Sequence, residues 1–375
     1  MRALVTGGLV IGFAYLAAAV TRPPDIPFEK HSIDPGASET CAWADINGDG
    51  RLDLVSGEYW YEAPRWTKHR FRDLDYTNNY IDDFSDLPVD VNGDGRVDIV
   101  SCSWFGKQLR WFENPGRSGG DWREHAIESG HNVEFAFLVD IDNDGRAREV
   151  LPEFGNADAP LAWYEIRNGG FVRHVISERS YGHGIGAGDV NGDGRTDILT
   201  PEGWFEAPAD PRAAAWKFHP AFHTGGLGFM YVRDVNGDGV ADVITSKAHD
   251  YGVLWFEQHR DGNWTPHVID DSWSQAHALS LVDWNHNGGL ALLTGKRYMA
   301  HNGHDPGERE PLGIYWYEPV RGSNGALEWA RHVIDYSTRT GGGMQVATAD
   351  YDGDGDVDFA VGGKSGLFLF ENKTR

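Results

Sequence analysis

The sequence predicts an all-β fold, a seven-bladed β-propeller of four-stranded blades, from three features that recur in phase. A nine-residue acidic loop occurs seven times: DINGDGRLD (45–53), DVNGDGRVD (90–98), DIDNDGRAR (140–148), DVNGDGRTD (189–197), DVNGDGVAD (234–242), DWNHNGGLA (283–291) and DYDGDGDVD (350–358). An aromatic-Glu strand follows each loop, from YWYE (59–62) to LFLFEN (367–372). An aromatic-x-x-His pair marks an outer strand at Phe28/His31, Trp66/His69, Trp122/His125, Phe171/His174, Trp216/His219, Trp264/His267 and Trp329/His332. Loop starts 45 to 67 residues apart have the spacing of propeller blades.

The elements follow in order. Residues 1–20, MRALVTGGLVIGFAYLAAAV, carry one Arg before an unbroken apolar, small or hydroxyl run, with Ala17 and Ala19 as a small-x-small cleavage pattern. This reads as a secretory signal peptide, or as an uncleaved anchor, and places the folded part in a secreted or periplasmic setting. A linker (21–27) leads into the propeller (28–375). Each unit then has one strand before the acidic loop, one after it, the aromatic-Glu strand and the His-bearing strand. The chain stops after the third strand of the last unit, and FEKHSI (28–33) supplies the missing fourth. The N-terminal strand is therefore expected to complete blade seven and fasten the ring. Abundant Gly (48) and Trp (15) suit short strands and tight turns. Two cysteines, Cys41 and Cys102, exclude a disulfide scaffold.

The acidic loops place oxygen donors at their first, third, fifth and ninth positions, with glycine at the sixth. Alternating acids on a tight turn point at one centre, and hard oxygens suit Ca²⁺. About five structural Ca²⁺ sites are expected. Their ligands would be Asp45, Asn47, Asp49 and Asp53; Asp90, Asn92, Asp94 and Asp98; Asp189, Asn191, Asp193 and Asp197; Asp234, Asn236, Asp238 and Asp242; and Asp350, Asp352, Asp354 and Asp358. Arg148 at the ninth position weakens the third loop, and Asn287 and Ala291 spoil the sixth. This pattern resembles the FG-GAP/VCBS repeat proteins, and the resemblance covers about residues 28–372. It implies a seven-bladed propeller with calcium in its DxNGDGxxD loops. The combined WFENP, WxxH and DxNGDG pattern also resembles, more loosely, the propeller part of aldos-2-ulose dehydratase-type keto-sugar lyases, without a following cupin domain.

Chemistry is expected on the face opposite the acidic loops. Six residues before each loop stand Glu39, Phe84, Glu134, His183, Gly228, His277 and Met344. Five residues beyond each loop stand Glu58, Ser103, Glu153, Glu202, Lys247, Lys296 and Gly363. Both columns should ring the channel mouth. Seven histidines outside the repeat positions (His131, His183, His223, His249, His277, His301 and His304) fall toward the same face. Only the sixth unit lengthens its second-to-third strand connection, as GKRYMAHNGHDPGERE (295–310). It should fold over the mouth and bring Arg297, Tyr298, His301 and His304 to the rim, since rigid scaffolds carry function on such loops.

The leading expectation is a carbohydrate-active lyase or dehydratase acting by β-elimination on an acidic or keto sugar. His183 or His277 would be the base, Lys296 and Arg297 the anion stabilisers, and Tyr298 or His301 the acid. His131, Glu134, Lys247, His249 and His304 would contact substrate, with Trp60, Trp104 and Tyr181 stacking on sugar rings. A variant places an additional divalent metal at the channel mouth, on His183 and His277 with Glu134, Glu39 or His304. The competing reading is a non-catalytic glycan- or protein-binding module using the same residues. A formal charge of −24 argues against nucleic acid and against a membrane partner beyond the N-terminal segment. A carbohydrate substrate or glycan ligand and a monomeric chain are expected.

Overall fold

The computed structural model describes residues 23–116, 120–284, 286, 288–289 and 291–374. The expected signal peptide or anchor lies outside them, as do the first residues of the linker. Among the described residues there is no α-helix, and antiparallel four-strand meanders repeat around a β-propeller. In the first unit Ala42–Ala44, Asp53–Ser56, Tyr59–Glu62 and Thr67–Arg70 pair in that order. The first strands of neighbouring units lie side by side, Val346–Ala349 beside Ala42–Ala44 and Ala42–Ala44 beside Ser85–Val89. The second strands, such as Asp98–Ser103, are buried along their whole length. Sheets covered on both faces require that, and it explains runs such as DIVSCS.

Closure follows the expectation. Phe28–Asp34 pairs antiparallel with Gly366–Asn372, so the first strand of the chain completes the sheet begun by the last three. Seven separate blades, however, are not what the hydrogen bonding shows. Among the described residues five four-stranded sheets stand alone, and the fourth and fifth units run together as one eight-stranded sheet. Ile185–Gly188 and Phe229–Arg233 pair in parallel there. Glycine is the reason: a Cβ on Gly186 would stand 2.1 Å from the Met230 carbonyl oxygen, and one on Gly188 would stand 2.6 Å from the Val232 Cβ. Without side chains, two first strands that would pack through side chains approach to backbone hydrogen-bonding distance.

The repeat-specific histidines are structural. Six of the seven rings stack on the Trp of the aromatic-Glu strand, as Trp60 on His69, Trp111 on His125 and Trp204 on His219, with centroids 4.2 Å apart, whereas His31 stands opposite Leu369. The Nε2 atom meets the strand's Glu: His69 with Glu62 at 2.9 Å, His125 with Glu113 at 2.9 Å, His219 with Glu206 at 2.7 Å. Asn47, Asn92 and Asn236, the third residues of their loops, donate to the Glu of their own unit's strand, Glu62, Glu113 and Glu257. That Glu therefore ties the acidic loop to the outer strand. Cys41 and Cys102 are buried free thiols.

Candidate metal centre

Four units deliver one side chain each to a single point at the channel mouth. Glu134 lies on Val133–Val139, His183 and His277 precede the first strands of the fourth and sixth units, and His249 sits in the turn after Asp242–Ser246. Glu134, His183 and His277 come from the same column, six residues before a loop, which the ring turns into neighbours. Glu134 Oε1 lies 3.1 Å from His183 Nε2, 3.2 Å from His277 Nε2 and 3.5 Å from His249 Nε2. His183 Nε2 and His249 Nε2 are 3.0 Å apart.

The far side of two rings fixes their tautomers. His183 Nδ1 faces the Leu227 carbonyl oxygen, and His249 Nδ1 faces Asp305 Oδ2 at 3.1 Å. Both partners only accept, so each Nδ1 carries the hydrogen. In the neutral rings the two Nε2 lone pairs then face each other and Glu134 across about 3 Å. Such a set repels itself unless a proton or a cation lies within it. A cation with bonds of about 2.0–2.2 Å spaces adjacent ligand atoms about 2.8–3.1 Å apart at octahedral angles and about 3.3–3.6 Å at tetrahedral ones, and the separations of 3.0–3.5 Å fall across that range. Three imidazoles and one carboxylate are a donor set for a divalent transition metal rather than for Ca²⁺. Asp305 behind His249 is the outer carboxylate such histidines commonly have.

Without a metal, a proton on His183 supplies the positive charge. Burial opposes ionisation of Glu134, yet His183, with His249 and His277, holds its carboxyl well below the usual range. Burial would depress His183, but Glu134 carries it up to about 9. His277, wholly buried, is held well below the ordinary histidine value by desolvation, with Arg297 adding to the effect and Glu134 opposing it. Arg297 is buried between two carboxylates, 2.9 Å from Glu39 and 3.8 Å from Glu134.

The sixth-unit extension does cross the mouth. Asn302 donates to the Asn78 carbonyl at 3.2 Å and accepts from Asn79 at 3.3 Å. Its partner is a two-stranded hairpin, Tyr76–Thr77 with Tyr80–Ile81. Glu308 accepts from the His301 and Asp305 amides, and Lys364 donates to the Met299 carbonyl at 2.7 Å, which fixes the extension from within and beneath. Between hairpin and extension lies a cleft of about 130 Å³, walled by Tyr80, Phe84, Trp104 and Phe105, with Glu134, Arg297 and His301 at its polar side. His301 stacks on His249 at 4.2 Å, and its Nδ1 meets Asp305 Oδ2 at 2.8 Å.

The other expected site residues fall elsewhere. Lys296 is buried and donates to the Ser274 carbonyl and hydroxyl, at 3.1 and 2.8 Å, so its ammonium is spent on the fold. Tyr298 is 43% exposed and lines no part of the cleft. Trp60 is a stacking partner of an outer-strand histidine, and Tyr181 packs on Phe205 and Phe218. His131 lies edge-on to Phe154; Lys247 belongs to a backbone turn with Asp250 and Gly252; His304 is held to the His301 carbonyl through its amide. None of these joins the four-ligand cluster. Glu39 is committed to Arg297, so neither it nor His304 completes the centre.

Sequence reasoning passed over Asp305 and the 76–81 hairpin. The hairpin had a signal: His69 to Asp90 is 21 residues, whereas His125–Asp140, His174–Asp189 and His219–Asp234 are each 15. It also left Glu153 without a role. That carboxyl is buried with both oxygens unpartnered. Burial pushes it up to about 8, with His183 lowering it and Glu134 raising it.

The acidic loops lie at the opposite ends of the first strands. Asp45 accepts from the Asp49 and Gly50 amides at 2.9 Å, and the other loops repeat this turn. The ninth-position Asp is buried beneath: Asp98 accepts from the Val91 amide at 3.0 Å and the Asn114 amide at 2.8 Å. In the third loop Glu149, one residue on from Arg148, reaches back to the Ile141 amide at 2.9 Å and takes that place. Carboxylate oxygens of Asp140, Asp142 and Asp144, and of Asp350, Asp352 and Asp358, come within 4.8 Å of one another.

Comparisons with known proteins agree with this architecture. The FG-GAP-like repeat model matches residues 90–147, which span the second and third acidic loops. No curated protein sequence matches the chain significantly. Among solved structures, BBS1N in complex with ARL6DN is similar with a TM-score of 0.56 at 10% identity, covering 94% of this chain and 97% of that one. The V. cholerae biofilm matrix protein Bap1 aligns with a TM-score of 0.46 at 12% identity, over 93% and 92% of the two chains. At 10% identity the likeness to BBS1N is one of fold alone. The chain thus carries an FG-GAP-like repeat over residues 90–147 within a β-propeller fold.

Proposed function

We propose that this chain is a metal-dependent, carbohydrate-directed enzyme of the elimination class, with one divalent transition metal held by Glu134, His183, His249 and His277. The observation that supports it is the convergence of three imidazole Nε2 atoms on one carboxylate oxygen, with two rings held in the ligating tautomer from behind. When bound, the metal would supply Lewis acidity to a substrate carbonyl. The expected assignment of His183 and His277 as bases gives way to a ligand role. His301 takes the proton-transfer role instead. Its Nδ1–H donates to Asp305, which leaves an Nε2 lone pair at the cleft, the arrangement of an oriented general base. That base would take the proton beside a sugar carbonyl or carboxylate. As the new C=C bond forms, the bond from the β-carbon to its oxygen breaks, and the departing oxygen takes the proton back from His301.

The cleft walls Tyr80, Phe84, Trp104 and Phe105 suit one sugar ring, since aromatic faces stack on the apolar faces of pyranoses. The looser resemblance to keto-sugar lyases points to the same chemistry. On this reading the acidic loops hold structural Ca²⁺, the fused fourth and fifth units count as two blades of a seven-bladed ring, and the chain works outside the cytoplasm as a monomer.

The test is a screen of the metal-reconstituted protein on 3-keto glycosides and uronate-containing glycans, following ultraviolet absorbance from new unsaturation. Signal lost in His301→Ala, with metal content unchanged, supports the assignment. No signal on any substrate, together with glycan binding that survives His301→Ala, would leave a binding module built on the same aromatic walls.

A further inference from the structure

Glu153 is a carboxyl that the fold supports at a cost. It lies on Glu149–Phe154, paired with Phe135 next to Glu134, and is only 2% exposed. Neither of its oxygens has a hydrogen-bond partner. Nearby hydroxyls are committed elsewhere: Ser180 donates to the Phe154 carbonyl at 2.6 Å and Thr200 to the Gly203 carbonyl at 3.0 Å. The space beside it, shared with Tyr181, Gly182 and Gly184, is about 10 Å³, room for roughly one water. Buried acids without partners are rare because the desolvation they suffer is not returned.

The charge at the channel mouth supplies a reason. A dication on three neutral imidazoles and the Glu134 carboxylate keeps one positive charge in a buried site. Arg297 adds another, which Glu39 meets at 2.9 Å. Glu153 borders the same small space as Gly182 and Gly184, the chain neighbours of His183, and pairs in register with Phe135, the neighbour of Glu134. We propose that Glu153 is the counter-charge of the loaded metal centre, a carboxylate that neutralises the remaining positive charge without being one of the four ligands. This inference rests on the metal reading above, and it explains why the group is kept although the metal-free fold gains nothing from it. Carboxylates hydrogen-bonded to metal ligands typically change affinity about 10- to 100-fold, and that range sets the scale expected for an unpaired charge beside the site.

The experiment titrates Zn²⁺ into chelator-stripped full-length protein by calorimetry, in calcium-containing buffer so that the acidic loops do not compete. Wild type is compared with Glu153→Gln and Glu153→Met, and the metal-free proteins are melted in parallel. The expected result is Zn²⁺ binding weakened about 10- to 100-fold in both variants, with metal-free melting temperatures equal to wild type or higher. Equal affinity in wild type and variants would overturn the counter-charge role while leaving the metal centre standing. Variants that melt lower without metal would overturn it too, because Glu153 would then be serving the empty fold. If wild type itself binds no Zn²⁺, the metal reading falls, and this inference falls with it.

Discussion

His183 Nε2 and His249 Nε2 stand 3.0 Å apart, each in a ring whose Nδ1 hydrogen is already given to the Leu227 carbonyl or to Asp305. Two facing lone pairs at that distance call for positive charge between them. His249→Ala or His183→Ala should therefore abolish stoichiometric Zn²⁺ binding, while His131→Ala, outside the cluster, should leave it unchanged. Metal content after dialysis reads this directly. Retention of metal in both ligand variants would refute the centre.

Asp305 acts through His249 and His301 rather than on a ligand of its own. Asp305→Asn keeps its shape but loses the charge behind both rings, so metal affinity should fall about 10- to 100-fold. Calorimetry of the variant against wild type checks it, and an unchanged affinity counts against the outer-carboxylate role.

The glycine seam between the fourth and fifth units tolerates no side chain. Gly186→Val would drive a Cβ to 2.1 Å from a backbone oxygen that cannot swing away. A destabilisation of about 3 kcal/mol is expected, the upper end for overpacking. Denaturant unfolding measures it, and a cost below about 1 kcal/mol would mean that the two units separate freely.

Chelating calcium should lower the melting temperature of the whole propeller, because each acidic loop closes the hairpin between a first and a second strand. Asp94→Ala, in a complete loop, should lose part of that calcium dependence. A melting temperature indifferent to EGTA would show that the Asx turns and the buried ninth-position carboxylates hold the loops unaided.

Lys364 gives a pH signature. Burial, only partly offset by Glu39, lowers its ammonium from 10.5 to about 8. Between those values the unfolded chain holds a proton that the folded chain does not. Stability gained from this group therefore rises with pH across that window, and the penalty is fully present below about 8. Lys364→Met should flatten stability against pH between about 8 and 10.5. An identical slope in the variant would show that Lys364 does not contribute it.

By itself the sequence determined the repeat: the strand order, the acidic loops, the structural histidines and the first strand closing the last sheet. Those features depend on local chemistry repeated in phase, such as a Trp and a His placed to stack on adjacent strands. It also determined that one extended connection would cross the channel mouth. Only the tertiary structure decided which residues meet there. Glu134, His183, His249 and His277 come from four units between 134 and 277 in the chain, and no spacing within one unit encodes their convergence. The same holds for Lys296 and Arg297, adjacent in sequence, of which one turns to Ser274 and the other to Glu39 and Glu134. The fusion of two units into one sheet was likewise invisible, because Gly186 and Gly188 read as ordinary turn-rich composition until the neighbouring strand is in place against them.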